Sequence, residues 1–437
     1  MHGMSVPAKP DPLQLDTRDK SAAIQKTLFH AAVFITSFLV LFSRRPDVIL
    51  NPQFYAEDGA RWYADAYQMG WHCLLVPDSG YLQTVSRFIG FLAMLFPFVL
   101  APLVMNLFAL TAQILPVNFF LSSRFAGISF YTRLAGSLLY LAIPNAIEVH
   151  ANTTNIQWHL ALLAFLVLVA EPARSRTGLA LDLLVLALLS LDSPLSFVLT
   201  PIAAALWWTR RNTQSKWNSA VLVPGTFLQF LFLALSSSRV PVQNGANLIR
   251  LAGILGGQIF LSAELGVRSV ARLYFFGDRH TLLYLECVAM ILGFAVCLYC
   301  FRHASIELRL FLLFAAGILM MALSRPIAGP DLSFPQWEYL QLPGRSSRYY
   351  FFPILAFYAA LIWIASAGGS RLRSVPRYLA LALLLSVPVG AYRDWRYPAF
   401  TDLHFQTYAA AFERAPSGSR IIIPLNPQGW EMRLVKH

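Results

Sequence analysis

Leu28-Phe-His-Ala-Ala-Val-Phe-Ile-Thr-Ser-Phe-Leu-Val-Leu-Phe42, closed by Ser43-Arg44-Arg45, contains no Asp, Glu, Lys or Arg before its closing arginines. Such a run approaches the roughly 20 apolar residues that carry a helix across bilayer hydrocarbon. It follows a segment bearing Lys9, Arg18, Lys20 and Lys26, as a secretory signal would. No small-residue cleavage site follows it, so it reads as an uncleaved first helix. Comparable runs recur, with short polar breaks, as far as Ala391, and by the length a crossing needs they number about eleven. They are uniformly apolar, which excludes the alternating pattern of barrel strands.

Composition agrees with this reading. Hydrophobic residues make up 57% of the chain and charged residues 13%, whereas soluble domains carry roughly 25% charge. Mean hydropathy is +0.55. The expected fold class is all-α, a polytopic transmembrane helical bundle over residues 28–391. A polar tail, 1–27, is expected to be cytoplasmic and without fixed structure. A short tail, 392–437, should lie on the opposite face.

The net charge of +12 comes mostly from arginine. With the N-terminal tail inside, every short inside loop is basic: Arg124 with Arg133, Arg174 with Arg176, Arg210 with Arg211 and Lys216, Arg302 with Arg309, and Arg371 with Arg373 and Arg377. The positive-inside bias thus explains much of the excess, and no nucleic-acid partner is expected. The outer set holds the first loop, 44–87, short turns at His150–Gln157 and Ser190–Pro194, and long loops at 236–280 and 324–348. The stretch 88–121 is too long for one span and is broken by Pro97 and Pro102. It reads as an interfacial helix up to Pro97 and one crossing from about Ala101. The four cysteines, Cys73, Cys287, Cys297 and Cys300, lack paired metal-ligand spacing and read as packing residues.

The outer face gathers the unusual polar residues. In the first loop, Glu57-Asp58-Gly59 precedes Arg61-Trp62-Tyr63-Ala64-Asp65-Ala66-Tyr67, a pattern suited to a helix lying in the interface. The acids could cap that helix. Alternatively, one could be a general base or metal ligand, whose pKa its surroundings tune. Neighbours on a helix point about 100° apart, so the two cannot aim at one atom without an irregular backbone, which Gly59 permits. Asp58 is the first candidate for the catalytic acid and Glu57 the second.

Three further groups accompany them. Glu148-Val-His150-Ala-Asn152-Thr-Thr-Asn155-Ile-Gln157-Trp158-His159 packs amides, imidazoles and an indole into one connection. It can cap helices, or it can bind a sugar or headgroup through His150, Asn152, Asn155, Gln157, Trp158 and His159. Asp192, in Ser190-Leu-Asp192-Ser193-Pro194, is either a helix cap or a second acid. Arg345 and Arg348, in Pro343-Gly-Arg-Ser-Ser-Arg-Tyr349, are either interfacial anchors or a phosphate clamp; Arg87 is a further phosphate candidate. Phosphate-loop, HExxH and GxGxxG motifs are absent from the sequence, so nucleotide hydrolysis and zinc proteolysis have no support.

Taken together, an acidic motif after the first helix, many further helices and arginines ahead of a late span resemble the GT-C superfamily of polytopic glycosyltransferases. Phe54-Tyr-Ala-Glu-Asp-Gly59, Gly80-Tyr-Leu82 with Arg87, Thr154-Asn-Ile-Gln-Trp158, Arg348-Tyr-Tyr-Phe351 and Ile423-Pro-Leu-Asn-Pro-Gln-Gly-Trp430 are similar to segments of a group of bacterial membrane proteins associated with that superfamily. The resemblance implies a polyprenyl-phosphate-linked sugar as donor, with a lipid or cell-envelope glycan as acceptor. It also implies an inner-membrane location with a periplasmic active face. Asp58 or Glu57 would be the base or would hold a divalent cation such as Mg or Mn, and Arg345 and Arg348 would meet the donor phosphate. The C-terminal tail would cap the cavity. The competing expectation is a transporter or flippase of a lipid-linked saccharide, which needs ionisable residues deep within spans; only Glu286 and Asp182 qualify.

Overall fold

Eight helices among the described residues are long and apolar enough to cross a membrane: Ala23–Arg44, Phe98–Phe120, Thr213–Leu235, Leu248–Leu265, Arg279–His303, Ile306–Ser324, Ser347–Ser366 and Ser374–Arg393. The chain is a helical membrane protein. The computed structural model describes residues 12–236, 242–329, 331–366 and 374–437. Lys9, Arg371, Arg373, residues 237–241 of the loop 236–280 and Pro330 of the loop 324–348 lie outside them.

Eight is fewer than the sequence suggests. Four runs read as crossings form shorter helices: Phe130–Leu141 of 12 residues, Ile156–Val169 of 14, Arg176–Asp192 of 17 and Ser196–Arg210 of 15. The tail also departs from expectation, since from Pro12 onward it is helix continuous with the first apolar run. At 88–121 the division is as expected: helix Thr84–Ala93 ends ahead of Pro97, and a new helix starts at Ala101.

A larger correction concerns 236–280. The sequence reads Leu248–Leu265 as loop, but it is an 18-residue apolar helix mostly buried in the bundle. Alanine-sized residues are too large at its contact with Arg279–His303. A Cβ on Gly256 would lie 1.9 Å from the Glu286 carbonyl oxygen, and one on Gly293 would lie 2.4 Å from the Phe260 ring. Small residues let two helix backbones touch where lipid offers no hydrophobic drive. We expect Gly256→Ala to cost about 2 kcal/mol by overpacking, read as a lower midpoint of thermal unfolding in detergent.

The all-α expectation also misses a hairpin. Strand β1, Arg420–Leu425, pairs antiparallel with β2, Trp430–Val435, with Leu425 opposite Trp430. Alternation along the strands buries Ile423, Leu425, Met432 and Leu434 on one face. That face packs on Phe54, Trp62, Tyr63 and Phe98 of the first loop and its neighbour, together with Phe405 and Phe412 of helix Phe405–Arg414. Backbone pairing fixes the seat: Ala56 N–H donates to the Asn426 carbonyl (2.5 Å), and Asn426 N–H to that of Phe54 (3.3 Å). The C-terminal tail thus holds the backbone on which Glu57 and Asp58 stand.

Candidate functional site

Just before Glu57, Ala56 adopts a left-handed φ of 41°. From Asp58 the chain winds as a wide turn of helix to Tyr63. A Cβ on Gly59 would meet Phe54 at 2.9 Å and Leu425 at 3.0 Å, so only glycine lets this turn lie against the hairpin. The two acids then diverge.

Asp58 points inward and is 1% exposed. Its Oδ2 accepts from Thr153 N–H (3.0 Å), and its Oδ1 accepts from Thr154 N–H (2.6 Å) and the Thr154 hydroxyl (2.7 Å). The Trp62 indole donates to that same hydroxyl at 3.2 Å. Both oxygens are therefore occupied in tying the first loop to the chain entering helix Ile156–Val169. Burial pushes the Asp58 carboxyl up to about 7 against the pull of these donors.

Glu57 is half-buried. Burial raises its pKa, and the charge of Asp78 adds to the rise; its own backbone N–H, Arg348 and Thr154 oppose it. Beside it stands Tyr55, whose phenol feels Glu148, Arg348 and Glu57; Tyr81 is hydrogen-bonded to Gln157 and close to Asp78, which also acts on Glu57, and to Asp192 and Tyr349. With Glu148 and Asp78, these half-buried groups form a polar patch of three acids, one guanidinium, several phenols and an amide. Glu148, Tyr55 and Tyr81 were not selected from sequence, although each lies in a segment quoted there.

Arg348 belongs to the patch but is not free. Its Nη1 donates to Glu148 at 2.8 Å and its Nη2 to the Ile327 carbonyl at 2.9 Å, with the guanidinium 4.7 Å from the Tyr349 ring centre. Glu148 also accepts from Ser346 N–H at 2.9 Å. The Glu148 carboxylate thus orients Arg348 and holds the left-handed Ser346 turn. Arg345 is exposed, with its guanidinium over Tyr339.

Arg87 does not fit the phosphate role. It is 1% exposed, donates to Asp65 at 2.7 Å and lies over the Trp62 ring. A charge sealed in such a pair has no face left for a ligand. Because removing one member strands the other, we expect Arg87→Ala to cost roughly 3 kcal/mol, measured by denaturation of the purified protein.

Most of the amide cluster is likewise committed to the fold. Asn152 Nδ2 donates to the carbonyls of Glu148 (2.7 Å) and His150 (3.1 Å), and Asn155 Nδ2 to Glu148 (2.8 Å) and to Asn152 Oδ1 (3.0 Å). His159 bridges the Val149 carbonyl and the Tyr140 hydroxyl. His150 is buried against Tyr397, and its pKa is held well below the usual value by burial and by Arg44 and Arg45. Trp158 is buried among Tyr349 and Phe352. Asp192 is a cap for a distant helix, not for its own turn: its Oδ1 takes Val85 N–H (2.8 Å) and Ser86 N–H (3.3 Å) at the start of Thr84–Ala93. Of this set Gln157 alone is only half-buried, and it accepts from the Ser193 hydroxyl at 2.5 Å.

A divalent cation does not suit the acid pair. Among the described residues no three His, Cys, Asp or Glu side chains are grouped to hold a metal, and both Asp58 oxygens already have donors. The four cysteines are free thiols, Cys73 and Cys300 buried and Cys287 and Cys297 half-buried. In comparisons with known proteins, no family model and no curated protein matches this chain.

Proposed function

We propose that the protein is a GT-C-like glycosyltransferase that moves a sugar from a polyprenyl-phosphate donor to a lipid or cell-envelope glycan acceptor, at the periplasmic face of a bacterial inner membrane. The observation that carries this reading is the division of labour between the two acids. Asp58 is saturated by Thr153 and Thr154, while Glu57 remains half-buried, with a raised pKa, beside an arginine. In this reading Glu57, not Asp58, is the base.

In this reading the Glu57 carboxylate accepts the proton of the acceptor hydroxyl as that oxygen bonds to the anomeric carbon. The bond from that carbon to the phosphate oxygen breaks, and the electron pair leaves with polyprenyl phosphate. Arg348, oriented by Glu148, and the exposed Arg345 face the charge that develops on the leaving group. Gln157, Tyr55 and Tyr81 offer polar and aromatic contacts to a sugar. Incubation of the purified protein with polyprenyl-phosphate sugars and an extracted envelope acceptor tests the reading. Failure to release polyprenyl phosphate from any donor, or full turnover by a Glu57→Gln, Asp58→Asn double variant, overturns it.

A transporter or flippase of a lipid-linked saccharide is the second reading, and one observation favours it. Glu286 and Glu264, 6% and 8% exposed, lie within apolar helices, and among the described residues neither has an ion pair. Asp182 no longer supports it, because Arg124 (2.9 Å) and Gln214 (2.7 Å) clasp it. Voltage- or proton-driven movement of the saccharide in proteoliposomes, abolished by Glu286→Gln, would favour transport.

A further inference from the structure

Helix Val267–Phe276 and the end of Ser374–Arg393 with the residues after it line an open pocket of about 620 Å³. Arg268, Arg272, Arg393 and Arg396 all line it. All four are exposed, and among the described residues no carboxylate pairs with any of them. Asp394 lies buried within this segment, but its carboxylate is committed to backbone donors: Oδ2 accepts from Val267 N–H (2.6 Å) and Asn145 N–H (3.3 Å), and Oδ1 from Arg268 N–H (3.2 Å). Four guanidinium groups around one pocket concentrate positive charge where an anion can enter.

Two of the four arginines are held in place. Arg393 donates to the Ser269 hydroxyl at 2.8 Å, and Arg268 to the Arg396 carbonyl. Trp395, also in the wall, is pinned through its indole to the Ser43 hydroxyl at 3.0 Å. Gly266 and Gly390 meet so closely that a Cβ on either would lie within 2.8 Å of backbone. The adjoining chain places the pocket on the face of the bundle that carries Glu57: Tyr397 N–H donates to the Arg44 carbonyl (2.9 Å), and Phe400 N–H to Asp47 (2.9 Å).

The surroundings choose the source of the anion. Helix Val267–Phe276 ends in Phe275 and Phe276, which are 62% and 88% exposed, and Tyr392 in the pocket wall is 82% exposed. Large aromatic side chains left bare beside arginines suit the headgroup level of a bilayer. Guanidinium groups grip phosphate through paired, charge-assisted hydrogen bonds. We infer that this pocket binds the phosphate of a membrane lipid, with the hydrocarbon lying along the exposed aromatic residues. The site stands apart from Glu57 and does not rest on the transferase reading.

The test uses the full chain purified in detergent and native mass spectrometry. The probes are phosphatidylglycerol, polyprenyl monophosphate, phosphatidylcholine and inorganic phosphate. Wild type should retain one or both of the first two. Arg272→Gln combined with Arg396→Gln should weaken that retention at least about tenfold, as the loss of charge-assisted hydrogen bonds implies. Arg272→Gln alone disturbs no contact that holds the fold and should shift retention in the same direction. Arg211→Gln, which removes an exposed arginine stacked on Trp208 elsewhere, should leave it unchanged. Preference for the monophosphate assigns the site to a phosphate monoester, and preference for phosphatidylglycerol assigns it to bulk anionic lipid. Equal retention by the singly substituted, folded variant, or displacement of lipid by inorganic phosphate at equal concentration, overturns the inference.

Discussion

Glu57→Gln is expected to lower turnover of a polyprenyl-phosphate sugar by about 10²–10⁴-fold, the usual contribution of a positioned general base, while leaving thermal unfolding unchanged. Glutamine keeps the size of the side chain and its half-buried setting but cannot take a proton. The bonds that tie the loop to Thr153 and Thr154 converge on Asp58, and the glutamine amide oxygen still accepts where Glu57 meets Thr154 and its own backbone N–H. The pH profile gives a second readout. Burial raises the Glu57 carboxyl above its ordinary 4.5, and a base works only when ionised. The rate should therefore rise with pH through a midpoint above 4.5, and that limb should vanish in the variant. Retained turnover, or an unchanged acid limb, would remove Glu57 from the mechanism.

The helical membrane class was legible because a crossing demands a long apolar run, and Leu28–Phe42, Arg279–His303 and Ile306–Ser324 supply it without ambiguity. Leu248–Leu265 was hidden because Gly253, Gly256, Gly257, Gln258 and Ser262 dilute its apolarity. Those glycines are what its contact with Arg279–His303 requires. The hairpin was hidden for another reason: its four buried residues are too few to mark strands in a chain this apolar, and their partner, the first loop, lies more than 300 residues away.

The first loop, the segment 148–159 and the turn before Tyr349 pack together, but residue type alone does not separate the uses of their polar side chains. Asn152, Asn155 and Asp192 have the side chains that bind ligands and also those that close turns, and only partners in space separate the two uses. For Asp192 those partners are Val85 and Ser86, about 100 residues distant. Glu148 shows the converse. It reads as an ordinary loop acid, yet it fixes Arg348 across some 200 residues. The divergence of Glu57 and Asp58 was foreseeable from helical geometry, but which one faces inward depends on the docking of Gly59 against Leu425.

Asp58→Ala is expected to destabilise the protein by roughly 3 kcal/mol, because it leaves buried donors without an acceptor. The N–H groups of Thr153 and Thr154 and the Thr154 hydroxyl all lose their partner at once. The loop 150–155 then loosens from the first loop, and the hairpin face on Phe54 and Trp62 loses its backing. The same carboxyl makes stability depend on pH. Its folded pKa, about 7, lies above the ordinary 3.8, so the folded state holds its proton more tightly than the unfolded chain does. The resulting contribution is complete below 3.8 and is lost as pH rises through about 7. Asp58→Asn, which cannot ionise, should flatten this dependence in thermal unfolding measured across that range. If instead Asp58→Ala unfolds like wild type and only turnover falls, Asp58 is the base and Glu57 its structural neighbour.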